Sequence, residues 1–365
     1  MSRPPRDIHQ AIADRCDKDS DFAVATVLKA VGSTPCKAGA KAIVDTSGAI
    51  LGTIGGGAVE ARAQQLAVQA LKIGRPLVFD FNLEGNAVKN SDPICGGVMR
   101  VLVDPFEAQR HTAYADAARA RQRRQRGVLL TTVRGEKWPE IEYVPDIDVL
   151  FFTEGEIPAD FAFPNADSLR SVLAREETAL FVNESPQEEQ CLEVLVESLV
   201  ANPLLVIAGG GHVGQALALQ ADLVGFDILV LDDRMEFTAA GLFSEGATTC
   251  CGQVDEEIGR LTIGDDTYIV IVTRGHQHDA EALAACLKKP AAYIGMIGSR
   301  RKVEMMRKEF VNSGLATAAE FDRVYAPIGL DIGSVTVPEI AASIVAQLIA
   351  VRRKGAAPKI QTKEL

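Results

Sequence analysis

The chain has 365 residues, 47% hydrophobic and 24% charged, a length that suggests two domains because single cores stop growing beyond roughly 250–300 residues. Its net charge of −11 argues against a general nucleic-acid binder. No apolar run reaches the roughly 18–20 residues of a membrane span, the start MSRPPRDIHQ lacks a signal-peptide core, and seven cysteines without a C-x-x-C spacing make neither a disulfide framework nor a structural zinc site. The cytoplasm is the expected location.

Residues 8–16 read as a short helix and 22–31 as a strand broken by Gly32-Ser33-Thr34-Pro35. Strands at 41–44 and 50–54 flank Thr46-Ser47-Gly48, a hairpin signal. Gly55-Gly56-Gly57-Ala58-Val59-Glu60 then opens a helix that Gly74 stops. Such a turn presents backbone N–H groups at the positive end of a helix dipole, which suits an anion. Alternatively, the glycines merely let two elements approach closely. Glu60 is either a first-turn carboxylate favoured by the dipole or a ligand-facing group. A strand at 76–83 and a polar loop at 85–93 precede Cys95-Gly96-Gly97 and a strand at 98–103. Cys95 is sterically open, and neighbouring N–H groups favour its thiolate; the alternative is a small buried apolar residue.

A helix over 107–126 ends in Arg119, Arg121, Arg123, Arg124 and Arg126. The dipole favours cations there, so a solvated end competes with a partner or phosphate role. Strands follow at 127–133, 149–152 and 178–182, while 145–167 is uninformative. The polar stretch from Ser185 leads into L-E-V-L-V-E, which reads as a strand, and Asn202-Pro203 opens the second domain.

Residues 204–208 are an apolar run of the kind that makes a buried parallel strand. Gly209, Gly211 and Gly214 follow as G-x-G-x-x-G, then a helix over 213–223 and a strand over 226–231 ending in Asp232 and Asp233. This is the frame of a dinucleotide fingerprint, with Asp232 placed for a ribose hydroxyl. His212 is discordant: a large side chain inside the glycine loop is expected to crowd a pyrophosphate. Strands at 248–250 and 268–273 come next, the latter running into Arg274-Gly275-His276-Gln277-His278-Asp279. Ligands of doubly wound sheets bind beyond the strands' carboxyl ends, which places Arg274, His276, His278 and Asp279 near one. Acid–base duty, a metal on H-x-H and a simple helix cap by Asp279 are the alternatives. After a strand at 292–297, Gly298-Ser299-Arg300-Arg301-Lys302 starts a helix with Ser299 as N-cap. Cations in a first turn are disfavoured by the dipole, so either a bound phosphate or carboxylate or solvated side chains account for them. A last strand at 324–326, a turn-rich loop at 327–333, and a helix announced by Thr336, Pro338 and Glu339 complete the pattern. The face formed by Ile340, Ile344, Val345, Leu348 and Ile349 suits packing on the sheet or on another copy of the chain.

The fold class expected is α/β: a Rossmann-like parallel-sheet domain at 203–354 after an α+β domain at 1–185, with 186–202 as linker or joining strand and 355–365 as a disordered tail.

Taken together and in order, G-S-T-P, G-A-K and G-T-I-G-G-G-A-V-E in the first half, and G-G-G-H-V-G, R-G-H-Q-H-D, I-G-S-R-R-K and P-I-G-L-D-I-G in the second, resemble the xanthine dehydrogenase accessory proteins of the XdhC/CoxI type. The resemblance covers about residues 20–106 and 203–353. It implies a chaperone that binds the molybdenum cofactor, molybdopterin or its dinucleotide form. Such proteins promote exchange of an oxo for a sulfido ligand with a cysteine desulfurase and deliver the cofactor to a xanthine dehydrogenase-type molybdenum hydroxylase. A homodimer is expected. Carried over, the resemblance puts Gly55, Gly56, Gly57, Glu60, Cys95, His212, His276, His278, Asp279, Ser299 and Arg300 at the site, with Cys95 as the reactive thiol; Gly209, Gly211, Gly214, Asp232, Arg274, Gly298 and Arg301 join them from the local patterns. The chain departs from the family at Cys36, where relatives carry a basic residue, and at Val337-Pro338-Glu339 in place of Pro-Glu-Glu. A nicotinamide (NAD(P))-dependent oxidoreductase using the fingerprint is the alternative function, and a metal-dependent hydrolase centred on His276 and His278 is a third.

Overall fold

A computed structural model describes residues 7–16, 21–83, 97–106, 108–136, 142–143, 145–184, 190–239 and 241–356. The chain divides into two compact units, Met1–Ala201 and Asn202–Leu365.

The first unit runs α1 (Ile8–Cys16), β1 (Phe22–Gly32), β2 (Lys41–Asp45), β3 (Ile50–Gly52), α2 (Gly57–Ile73), β4 (Leu77–Asn82), β5 (Gly97–Pro105), α3 (Ala108–Gln122), β6 (Gly127–Glu136), β7 (Glu142–Tyr143), β8 (Asp146–Thr153), α4 (Ala166–Arg175), β9 (Thr178–Glu184) and β10 (Gln190–Leu199). Its strands form two sheets, ordered β3-β2-β1-β5-β4-β7 and β8-β6-β10-β9, with antiparallel pairings throughout. Period-two alternation explains the layering. Ala23, Ala25 and Val27 of β1 pack with Val59, Ala63 and Leu66 of α2. Phe22 and Val24 turn the other way, toward α1, α3 and the second sheet. Leu28, Val78 and Leu102 meet Val133 and Leu195 between the sheets, and α4 covers the outer face of the second sheet through Leu169, Val172 and Leu173.

The stretch L-E-V-L-V-E lies within β10, in register with both β6 and β9. Val194 and Val196 face α4, while Glu193 and Glu197 alternate with them and are buried. Glu197 meets the Lys41 ammonium of β2 at 2.5 Å, and Glu193 accepts from Arg100 Nε of β5 at 3.0 Å. Arg100 also holds Asp80 of β4 at 2.9 Å. These acids are the partners of cations on the facing sheet. The strand read at 149–152 is part of β8, and α4 follows, capped by Asn165, whose side chain accepts from Ser168 N.

The second unit runs β11 (Leu204–Ala208), α5 (His212–Leu223), β12 (Asp227–Asp232), β13 (Thr248–Cys251), α6 (Val254–Arg260), β14 (Thr267–Ile271), α7 (His276–Cys286), β15 (Tyr293–Met296), α8 (Arg300–Asn312), α9 (Ala318–Asp322) and α10 (Val337–Lys354). The strands form one parallel sheet, β13-β12-β11-β14-β15. β11 is apolar on both faces because both are covered: Leu205 and Ile207 pack toward α5 and α10, and Val206 and Ala208 toward α6, α7 and α8. This is the expected Rossmann-like architecture. The strand read at 324–326 shrinks to a single bridge between Gly295 and Tyr325. Pro327 comes two residues later without an N–H to extend the ladder. The Thr336–Glu339 capping box forms at α10 as its sequence requires. Among the described residues, no helix is long and apolar enough to cross a membrane.

Candidate functional site

Two glycine-rich turns carry the candidate residues, one in each unit. Between β3 and α2, Gly55, Gly56 and Gly57 have φ of 122°, 71° and 61°, a succession only glycine adopts readily. Gly55 is also fixed by packing, since a Cβ there lies 2.5 Å from Pro35 Cγ. Gly56 and Gly57 face open space. Glu60 folds back over the turn. Its Oε1 accepts from Thr53 Oγ1 at 2.8 Å, Ile54 N at 3.1 Å and Gly56 N at 3.3 Å. The carboxylate therefore fastens the turn and takes one of its N–H groups. Cys36 neighbours this turn; burial first, and then the Glu60 carboxylate, push its thiol pKa up, so it keeps its proton at neutral pH. Cys95 lies outside the described residues. Gly97, the first residue of β5, has no room for a Cβ, which would sit 2.7 Å from Val31 O and 2.8 Å from Ser33 O.

In the second unit, backbone crowding demands three glycines. A Cβ on Gly209 would run into Val272 O, one on Gly210 into Phe237 O, and one on Gly214 into Gly209 O. Gly211 is different. It is the N-cap of α5 with φ −67°, and a Cβ there meets nothing within 4 Å. Among the described residues nothing requires glycine at that position. His212 is exposed and lines a separate hollow with Gln215, Leu219, Phe243 and Pro338. It does not line the pocket beside Gly209.

That pocket opens where β11, β12, β13 and β14 end, lined by Gly209, Asp232, Asp233, Arg234, Gln253, Val254, Asp255, Thr273, Arg274, His278 and Glu281. Asp232 is 3% exposed. Its Oδ2 accepts from Gly210 N at 2.8 Å and Arg234 Nη2 at 3.0 Å, and its Oδ1 from Arg234 N at 3.0 Å and Nε at 2.9 Å. Burial alone raises its pKa, but the Arg234 and Gly210 hydrogen bonds outweigh burial and hold it below the usual carboxylate value. Asp233 accepts from Arg274 Nη2 at 2.6 Å. Arg234, two residues beyond the fingerprint acid, also lies 3.8 Å from the Phe237 ring centre. It is a functional candidate missed in the sequence, where the motif draws attention to the acid alone.

Asp279 is fully buried. It accepts from Thr273 N at 3.2 Å and Thr273 Oγ1 at 2.5 Å, and pairs with Lys302 Nζ at 2.6 Å. This network gives Asp279 a positioning role, tying the end of β14 to α8, and accounts for one first-turn cation of α8. Arg300 and Arg301 are exposed and have no ion-pair partner among the described residues. Ser299 caps α8 by accepting from Lys302 N at 3.3 Å, and Gly298 packs near Lys302. His276 is exposed, and His278 Nδ1 lies 3.3 Å from Glu281. Among the described residues, no three His, Cys, Asp or Glu side chains gather as a metal site.

Comparison with known proteins adds a consistent picture. The XdhC Rossmann domain model matches residues 205–348, and the XdhC and CoxI family model matches 16–82. The chain is 25% identical over 340 residues to YqeB of Escherichia coli (strain K12), described as uncharacterized; this covers 93% of the chain and 45% of YqeB, so the chain spans about half the length of that relative. It is 23% identical over 351 residues to a protein of Bacillus subtilis (strain 168) described as a probable xanthine dehydrogenase subunit, covering 95% of this chain and 98% of that protein. A Bacillus halodurans crystal structure described as a xanthine dehydrogenase shares the fold, with a TM-score of 0.70 at 20% identity over 96% of this chain and 98% of that one. With both domain models matched in chain order, the chain belongs to the XdhC and CoxI family.

Proposed function

We propose that this protein is a maturation factor for a xanthine dehydrogenase-type molybdenum hydroxylase. It binds the molybdenum cofactor, supports its sulfuration together with a cysteine desulfurase, and passes it to the enzyme. The observation that carries this reading is the open character of Gly56, Gly57 and Gly211 in a chain with both family domains. The cofactor carries a phosphate or pyrophosphate, and backbone N–H groups at an open helix N-terminus suit that group. Within the second unit, Gly211 with the start of α5 and the exposed cations Arg300 and Arg301 are the residues that would hold it. When bound, the group supplies the metal centre that the recipient enzyme needs. The chain's own residues bind and orient its anionic end, and the family resemblance assigns Cys95 as the soft ligand near the sulfur chemistry. The names of the Bacillus relatives support the choice of partner.

The test is anaerobic titration with molybdopterin, followed by pterin fluorescence, on the full chain. Saturable binding, and loss of active hydroxylase from cells lacking the protein, are expected. Absence of pterin binding would sink the reading. The G-x-G-x-x-G frame from Gly209 to Gly214 is also that of a nicotinamide dinucleotide site. Hydride turnover with NAD or NADP separates that oxidoreductase reading from the first.

A further inference from the structure

We propose that the outer face of α5 and α10 in the second unit is an interface between two copies of this chain, paired about a two-fold axis that sets the helices of one copy antiparallel to those of the other. The proposal does not rest on the cofactor reading. It concerns a surface that shares no lining residue with the pocket beside Gly209.

The sequence of α5 leaves this face without charge. Asp222, the sole acid or base of the helix, is buried. Leu219 and Leu223, 57% and 64% exposed, stand one turn apart on the same side. In α10 no charged residue occurs between Glu339 and Arg352. Its inward face, with Ile344, Val345 and Leu348, packs on the sheet, while Ile349 is exposed. The two helices are tied at both ends: Gln220 Nε2 donates to Pro338 O at 3.1 Å, and Arg352 Nη1 to Val224 O at 3.3 Å. Their outer sides therefore form one surface. Toward its Pro338 end this surface sinks into a hollow of about 650 Å³ lined by Ala216, Leu219, Leu242, Phe243 and Pro338, with no carboxylate, lysine or arginine in its wall. Apolar surface of this kind, on a chain rich in charge elsewhere, marks an interaction site.

Complementarity of the face to itself selects the occupant. The hollow and Glu339 lie at one end, and Leu223 with the cations Arg353 and Lys354 at the other. Glu339 Oε2 caps α10 by accepting from Val335 N and Thr336 N, which leaves Oε1 without a partner among the described residues. Arg353 and Lys354 are exposed and have no ion-pair partner among the described residues. A two-fold axis crossing the face beside Leu219 exchanges the two ends. Leu223 of each copy then enters the hollow of the other, and Glu339 of each meets Arg353 and Lys354 of the other. A different partner would need only one half of each pair, whereas this face carries both. The net charge of −11 opposes the approach of two copies in general. A helix face without exposed acids along its middle is where that opposition is least.

The experiment is sedimentation equilibrium on the full chain, with circular dichroism of each variant to confirm its fold. The wild-type chain is expected to be a dimer at micromolar concentration. Leu219→Glu should sediment as a monomer with unchanged helix content, since the position is exposed and glutamate suits a helix. Leu219→Lys should behave likewise. An equimolar mixture of the two variants should recover the dimer, because beside the axis this position faces its own counterpart. Arg353→Glu combined with Lys354→Glu sets acids against Glu339 and should weaken the dimer about tenfold or more. Leu315→Glu, at an exposed leucine on the α8 side of the sheet, should stay dimeric. A monomeric wild-type chain, a dimer that survives Leu219→Glu, a mixture that stays monomeric, a dimer unmoved by the charge reversal at Arg353 and Lys354, or equal loss in Leu315→Glu overturns the proposal. A monomeric chain that engages a hydroxylase through this face equally overturns it. Failure of the pterin titration leaves it standing.

Discussion

At the scale of single residues, burial separates the acids of the second unit more sharply than their positions in motifs do. Asp232 and Asp279 stand where ligand-facing groups are expected from sequence, yet both spend their oxygens inside the chain. The pH dependence of stability is one consequence. The folded carboxyl of Asp232 has a lower pKa than the same group in an unfolded chain. Its contribution is therefore fully present above the ordinary aspartate value and is lost as pH falls through the lowered folded value. Urea midpoints should drop on acidification from roughly pH 5 to 3, and Asp232→Asn should flatten that part of the profile. An unchanged acid limb in the variant would mean that Asp232 carries no such linkage. Asp279 shows why the sequence left this open. Its place in R-G-H-Q-H-D is compatible with a cap, a ligand or an ion pair, and only the approach of Lys302 from α8 selects the last.

At the scale of elements, the ion pairs between the sheets of the first unit are the feature with the largest expected cost. Lys41 has a fully buried side chain against Glu197. Removing one partner strands a charge in the interior. Lys41→Met should therefore cost about 3–5 kcal/mol in chemical denaturation, while Lys41→Met with Glu197→Leu should recover most of it. Equal losses in the single and double variants would contradict this. The same residues mark the limits of sequence reading. Elements with strong periodicity and clear caps were legible: α1 at 8–16, α2 ending at Gly74 in a left-handed C-cap, and α10 with its capping box. The glutamates of β10 look like solvent-facing positions, because their cations come from β2 and β5, far away in sequence. The short helices α6 and α9 escaped because seven and five residues give little periodicity to detect. Of the candidate site, the glycine turns were visible as patterns. Which glycines answer to packing and which stand open depends on neighbours such as Val272 and Phe237.

At the scale of the whole molecule, each unit carries its own apolar clusters, and the division falls between Ala201 and Asn202. A fragment spanning residues 202–356 should unfold in a single cooperative transition. A broad, non-cooperative melt of that fragment would show that it depends on the first unit. The first unit has a different history in the cell. Lys41 and its partner Glu197 are 156 residues apart, and the ribosome adds roughly 5–20 residues per second. The ammonium on β2 must therefore wait about eight to thirty seconds for the carboxylate that allows it to be buried. During that interval the second sheet lacks the strand that joins β6 to β9. The pairing of the two sheets through Lys41 and Glu197 is therefore completed only after translation has passed residue 199.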